Sequence, residues 1–237
     1  MRVTMTNHEA RPLHGASTGQ PVPILARAWR AKTAATAVIL GYYFAGYFAL
    51  NRIPFDTYHD VPAVPFLDDL PLIPWTVIVY NSVFLLGGLA IWLLPDARAV
   101  WRHVVATIIA FTVTYVGFAA YPTRITRPPL PEGPSVWIWA LETVRILDAP
   151  HTCLPSLHIT NCGLAVLALW PTRWGPWSLL WSLAIATSTL TTEQHLFLDL
   201  PAGVIPPIIG YGLAWLLMPA RALDPPTSAP LDSPRRH

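Results

Sequence analysis

Apolar residues fall in long blocks along this chain, separated by short polar or proline-rich segments. Six blocks lie near the length of about 20 residues needed to cross a bilayer: 34–50, 72–94, 101–120, 154–170, 175–191 and 199–218. Hydrocarbon tolerates only backbone whose polar groups are satisfied within the segment, so each block reads as a helix. The pattern predicts an all-α, polytopic membrane protein, a six-transmembrane-helix bundle formed by residues 31–218 as one domain. Residues 1–30 are mostly polar, and no short apolar region starts near Met1, which argues against a cleaved signal peptide. Residues 1–30 and 219–237 are expected to be flexible cytoplasmic tails, the second carrying Asp224-Pro225-Pro226 and Ser233-Pro234-Arg235-Arg236.

Details within the blocks refine this picture. Pro206 and Pro207 lie deep in the last block, where prolines are expected to kink a helix. Trp75, Trp92, Trp101, Trp170, Trp174 and Trp177 fall near block ends, as interfacial anchors do. Between the third and fourth blocks, Ser135–Leu147 has the pattern of a short amphipathic helix. It is expected either to lie on the membrane surface and shape a lipid access path, or to serve as a packed cap.

Composition agrees with the pattern. The chain is 53% hydrophobic and 12% charged, against about 25% charged in soluble domains, and its mean hydropathy is +0.43. A net charge of +2 gives no support to nucleic-acid binding. Cys153 and Cys162 are too few for a disulfide framework and read as small apolar residues. Basic residues set the orientation, since cytoplasmic loops are enriched in them. With the N-terminus inside, only Arg52, Arg124, Arg127 and Arg145 of the 15 Lys and Arg fall outside. Both termini are therefore expected to be cytoplasmic, in a plasma or inner membrane.

Three short segments then carry chemistry. His195 and Asp199 stand four residues apart at the edge of the last block, a spacing that puts both on one face of a helix. A carboxylate beside an imidazole fixes its tautomer and stabilises its charged form. Leu154-Pro-Ser156-Leu-His158 supplies a second histidine, and Tyr121-Pro-Thr-Arg124-Ile-Thr-Arg127-Pro128 supplies two guanidinium groups. By the charge count all three segments lie on the outer side. Cleaving a phosphate ester needs a nucleophile, a proton for the leaving oxygen and fixed positive charge on the other oxygens. These residues meet that list: His195 as nucleophile braced by Asp199, His158 as acid and then base, and Arg124 and Arg127 as phosphate clamps. Ser156 adds a hydroxyl at a helix start that favours an anion.

These segments resemble the type 2 phosphatidic acid phosphatase superfamily of membrane lipid phosphatases and phosphotransferases. Arg127-Pro128 matches the end of its first motif. Pro155-Ser156-Leu157-His158 matches its second, with Leu157 in the glycine place. Ser188, His195 and Asp199 match its third. The lysine place of the first motif falls on Ala120, where Arg124 is expected to stand in, and the arginine place of the third falls on Thr189. The Pro-Ser-Leu-His form and His195-x-Phe-x-Asp199-Leu-x-Ala-Gly203 look closest to the inositol phosphorylceramide synthase branch. The resemblance implies a phosphohistidine at His195, a phospholipid or other lipid phosphate as substrate, and no metal or other cofactor. Water as acceptor would make a phosphatase, and an alcohol a phospho-headgroup transferase. Two other readings remain: a non-catalytic membrane protein whose two histidines ligate haem, and a serine hydrolase using Ser156 and His195, which lacks a Gly-x-Ser-x-Gly elbow.

Overall fold

A computed structural model describes residues 23–219. The C-terminal tail beyond Pro219 and residues 1–22 of the N-terminal tail lie outside the described residues. Helix α1 begins at Trp29, two residues before the expected start of the bundle, and runs to Arg52. Then follow a 3-10 turn Pro74–Thr76, α2 (Val77–Asn81), α3 (Val83–Trp92), α4 (Ala97–Ala120), α5 (Val136–Leu147), α6 (Leu157–Leu169), α7 (Gly175–Thr191) and α8 (Asp199–Leu217). The chain is mostly helical, as the apolar blocks require. Pro206 and Pro207 do not interrupt α8, which runs through both.

Four helical stretches are long and apolar enough to cross a membrane: Trp29–Arg52, Pro74–Trp92, Ala97–Ala120 and Asp199–Leu217. At 1.5 Å per residue, α6 and α7 reach only about 20 Å and 26 Å. The fourth block is cut short because residues 154–156 are needed in a non-helical segment before Ser156 caps α6. Large apolar side chains such as Ile205, Ile208, Trp215 and Leu216 on α8, and Leu180 and Leu183 on α7, face outward, as surfaces bathed in lipid do.

Small residues bring the helices together, as expected where lipid removes the hydrophobic drive between helices. Gly210 of α8 lies against the Ala106 carbonyl and Ala110 of α4, and Gly163 of α6 against Pro207. Lys32 is a polar residue fully buried in α1. Its Nζ donates to the carbonyls of Trp92 and Ile24, both at 2.7 Å, and so satisfies the last carbonyl of α3.

The loops at one end knit into a cap. His59–Asp60 (β1) pairs in parallel with Thr123–Arg124 (β2), and Arg124 makes a further bridge with His151. This small strand pair departs from a purely helical expectation. Three loops meeting at one end satisfy their backbone groups against one another. The Ile73 N–H donates to Thr191 O at 2.8 Å, and Ser156 N–H to Asp199 O at 3.1 Å. The ends of α4 and α7 and the starts of α2, α6 and α8 therefore gather on the same side, which brings the three chemical segments together.

Candidate active site

Ser156 caps α6, its Oγ accepting from Ile159 N–H. The Ser156 carbonyl accepts from Thr160 Oγ1 at 3.0 Å, and the same hydroxyl also reaches Gly203 O at 3.1 Å. A Cβ on Gly203 would stand 2.7 Å from Ser156 O and 2.8 Å from Ile159 Cβ. Glycine at 203 thus lets the first turn of α8 press against the first turn of α6.

His195 does not lie on a helical face, contrary to its sequence spacing. It sits in the turn between α7 and α8, and Asp199 is the first residue of α8. Glu193 takes a left-handed conformation, φ 54°, and the N–H groups of Gln194 and His195 both return to Thr189 O. The i,i+4 pair forms because the Asp199 carboxylate folds back over this turn. Its Oδ2 lies 3.0 Å from His195 Nδ1 and accepts from Leu196 N–H at 3.0 Å. Asp68, from the first long loop, fixes the turn from the other side, its Oδ1 accepting from Phe197 N–H at 2.6 Å.

Asp199 is fully buried and His195 nearly so. With a carboxylate on Nδ1, that nitrogen carries the proton and Nε2 keeps its lone pair. Ser156 Oγ stands 3.2 Å from Nε2 as its donor. His158 faces His195, with ring centroids 5.8 Å apart, and stacks on Tyr80 at 4.1 Å. His158 Nε2 is buried and has no hydrogen-bond partner among the described residues.

Both histidines line a narrow cleft, together with Tyr43, Tyr47, Asp148, His151 and Gln194. Tyr43, Tyr47, Asp148 and His158 also line a wider groove of about 180 Å³, whose other walls are largely aromatic: Phe44, Phe48, Tyr80 and Phe84. Val144 and Leu147 of α5 close one flank. The amphipathic segment is therefore helical as expected, and it borders this groove.

The predicted cations separate. Arg124 is exposed and paired with Asp60 at 2.7 Å; that carboxylate holds Arg124 above the usual guanidinium range and is itself held below the usual carboxylate range. Pairing in the β1–β2 ladder turns its side chain outward, and it does not line the cleft, so the expectation that Arg124 clamps phosphate is corrected. Arg127 is well buried, but its donors go to Asp148: NH1 to the backbone O at 2.6 Å and NH2 to Oδ2 at 3.1 Å. It holds the Asp148 wall of the cleft, and its Nε is without a partner among the described residues. Thr189, the place of the absent arginine, is buried with its hydroxyl bonded back to Ala186 O.

Sequence reasoning missed Tyr80, Gln194, Asp148, His151 and the cation Arg145. Arg145 pairs with Glu193 Oε2 at 3.1 Å and donates to Pro128 O at 2.6 Å. It thus ties α5 to the His195 turn, while burial pulls its pKa below the usual guanidinium value. Nothing in local spacing marks these residues, since segments as far apart in sequence as Tyr43 and His195 assemble the cleft. No protein-family model, curated protein or solved structure matches this chain.

Proposed function

We propose that this chain is an integral-membrane lipid phosphatase or phosphotransferase of the type 2 phosphatidic acid phosphatase superfamily, with six transmembrane helices, cytoplasmic termini and an extracytoplasmic site. The observation that carries this reading is His195, braced by buried Asp199 and facing His158 across one cleft at 5.8 Å. An attacking nitrogen must come within about 3–3.5 Å of phosphorus, and a proton donor within about 2.6–3.2 Å of the leaving oxygen. Two rings facing each other at this separation are of the right order to serve both.

In the first step His195 Nε2 forms a bond to phosphorus as the bond to the leaving alkoxide breaks, and His158 gives that oxygen its proton. Asp199 stabilises the charge that grows on the imidazole. In the second step His158 takes a proton from water or an alcohol, whose oxygen displaces Nε2. In-line displacement puts both the leaving and the attacking oxygen on the His158 side. The aromatic groove begins there, which favours an amphiphile with its tail in the groove.

Purified protein is to be incubated with labelled phosphatidate, and separately with phosphatidylinositol plus an acceptor lipid. We expect turnover in one assay and an acid-labile, base-stable phosphoprotein, both lost in His195→Ala. Undiminished turnover in that variant sinks the mechanism.

Ser156–His195–Asp199 also has the connectivity of a serine-hydrolase triad, which favours Ser156 as nucleophile in a second reading. Against it, Ser156 is fully buried, caps α6 and is not among the residues lining the cleft. Ser156→Ala abolishes activity if the serine attacks, and lowers it about tenfold or less if His195 does.

A further inference from the structure

The phosphoester reading leaves a shortage of donors. Arg124 is spent on Asp60 at the surface, Arg127 commits two of its nitrogens to Asp148, and Thr189 offers no cation. A bound phosphate group brings three non-bridging oxygens or two, and each needs a donor in a cleft that excludes water.

His151 lines the same cleft as His158 and His195. Its backbone is held from two sides. On one, it bridges Arg124 of β2, and the next residue, Thr152, donates from N–H to Thr123 O at 3.1 Å. On the other, Asn51 at the end of α1 donates from Nδ2 to His151 O at 3.4 Å and to Thr152 Oγ1 at 3.1 Å, and accepts from Ala149 N–H at 3.1 Å. Thr152 adopts a left-handed conformation, φ 64°. A non-glycine residue there costs free energy and persists only where surrounding contacts impose it. The Tyr58 ring packs on the imidazole at 5.3 Å. His151 Nδ1 is buried and has no partner among the described residues. An anchored imidazole beside a cleft, with an unspent nitrogen, is a group held ready for a ligand.

We propose that His151 is a third imidazole of the site, which donates a hydrogen bond to a non-bridging oxygen of the bound phosphate group and takes the place of the guanidinium missing at Thr189. The proposal rests on the phosphoester reading. It adds a phosphate-binding residue from a segment that none of the three sequence motifs contains.

The charged and titratable groups around His151 set its pH behaviour. Asp148 and Arg127 act on it from α5's end and the loop after β2. Tyr58 packs on it, Tyr47, His158 and His195 line the cleft with it, and the Arg124 guanidinium is turned to Asp60. Burial, opposed by Asp148 and helped by Arg127, holds its pKa below the usual 6.5. The free site therefore carries a neutral ring at pH 7, and an arriving anion favours its protonation. Affinity for a dianion strengthens as pH falls through the range in which the bound ring gains its proton.

The test uses full-length protein and inorganic sulfate, a phosphate mimic with no titration of its own near neutrality. Its binding is followed by tryptophan fluorescence at pH about 5.5 and about 8, either side of an imidazole titration. We expect His151→Ala to weaken binding about tenfold at the lower pH, as loss of one donor to a charged group does. His151→Gln, which keeps an amide donor but cannot charge, should recover part of the affinity at pH 8 and show a flatter pH dependence than the parent chain. If His151→Ala does not yield a monodisperse protein, His151→Gln decides alone. Parent-like affinity at both pH values in the variants that fold overturns the proposal. The two failures are separable: retained turnover in His195→Ala removes the phosphoester reading itself. A dead His195→Ala beside sulfate binding that is indifferent to His151 removes this inference alone.

Discussion

Asp199 holds the site through a single oxygen. Oδ2 serves both His195 Nδ1 and Leu196 N–H, while Oδ1 is buried without a partner among the described residues. Replacing it with an amide keeps the shape and removes the charge. If the new NH2 faces the ring, Nδ1 must accept, the proton moves to Nε2, and the lone pair that would attack phosphorus is lost. Asp199→Asn should therefore lower the single-turnover rate about 10²–10⁴-fold with little change in substrate binding. A loss confined to KM would show that the carboxylate merely shapes the pocket. At this scale the motif residues His158, His195, Asp199 and Ser156 were legible, because each has a side chain whose chemistry has few other uses. Arg124 and Arg127 were not separable. Both are guanidiniums three residues apart, and only the β1–β2 ladder decides which one points outward.

At the scale of elements, the contact between α6 and α8 sets where Ser156 stands relative to His195. Gly203 makes that contact possible, since a methyl group there would meet the Ser156 carbonyl and Ile159. Gly203→Ala should cost about 1–3 kcal/mol by overpacking, read as a lowered thermal midpoint in detergent, and should reduce turnover through displaced Ser156. An unchanged midpoint would mean that α6 and α8 part without cost. The pairing of His195 with Asp199 teaches a related point. A spacing of four suggested a shared helical face, but the helix starts only at Asp199, and a turn fixed by Glu193, Thr189 O and Asp68 supplies the same proximity. Sequence spacing constrains how far apart two groups are, whereas the backbone path between them depends on distant partners such as Asp68.

At the scale of the molecule, the cap formed by the loops after α1, α4 and α7 gathers at the end opposite the α3–α4 turn. Phe66 in the first of these loops is almost fully exposed, and Ala97 at the start of α4 is exposed at the other end. Single cysteines at these two places should react oppositely with a membrane-impermeant maleimide on intact cells: Phe66→Cys labelled, Ala97→Cys protected until the membrane is opened. The reverse pattern would place the site on the cytoplasmic side. Background from the native thiols should be low, since both are buried and burial pushes the Cys153 thiol up, away from the reactive thiolate.

The apolar blocks by themselves placed the main helices in order, and four of these stretches are long and apolar enough to cross a membrane, because hydrocarbon forces a crossing segment to satisfy its own backbone and to be apolar along its length. Those are local demands, visible within about 20 residues. Chemistry-bearing side chains were visible for the same reason. Tertiary structure alone decided that Arg124 turns away, that His151 and Asp148 join the cleft, and that an aromatic groove opens beside His158. The first two depend on contacts between loops dozens of residues apart, and the groove on residues of α1, α2, α3 and α5 brought together across the sequence; no local pattern encodes which distant segments will meet.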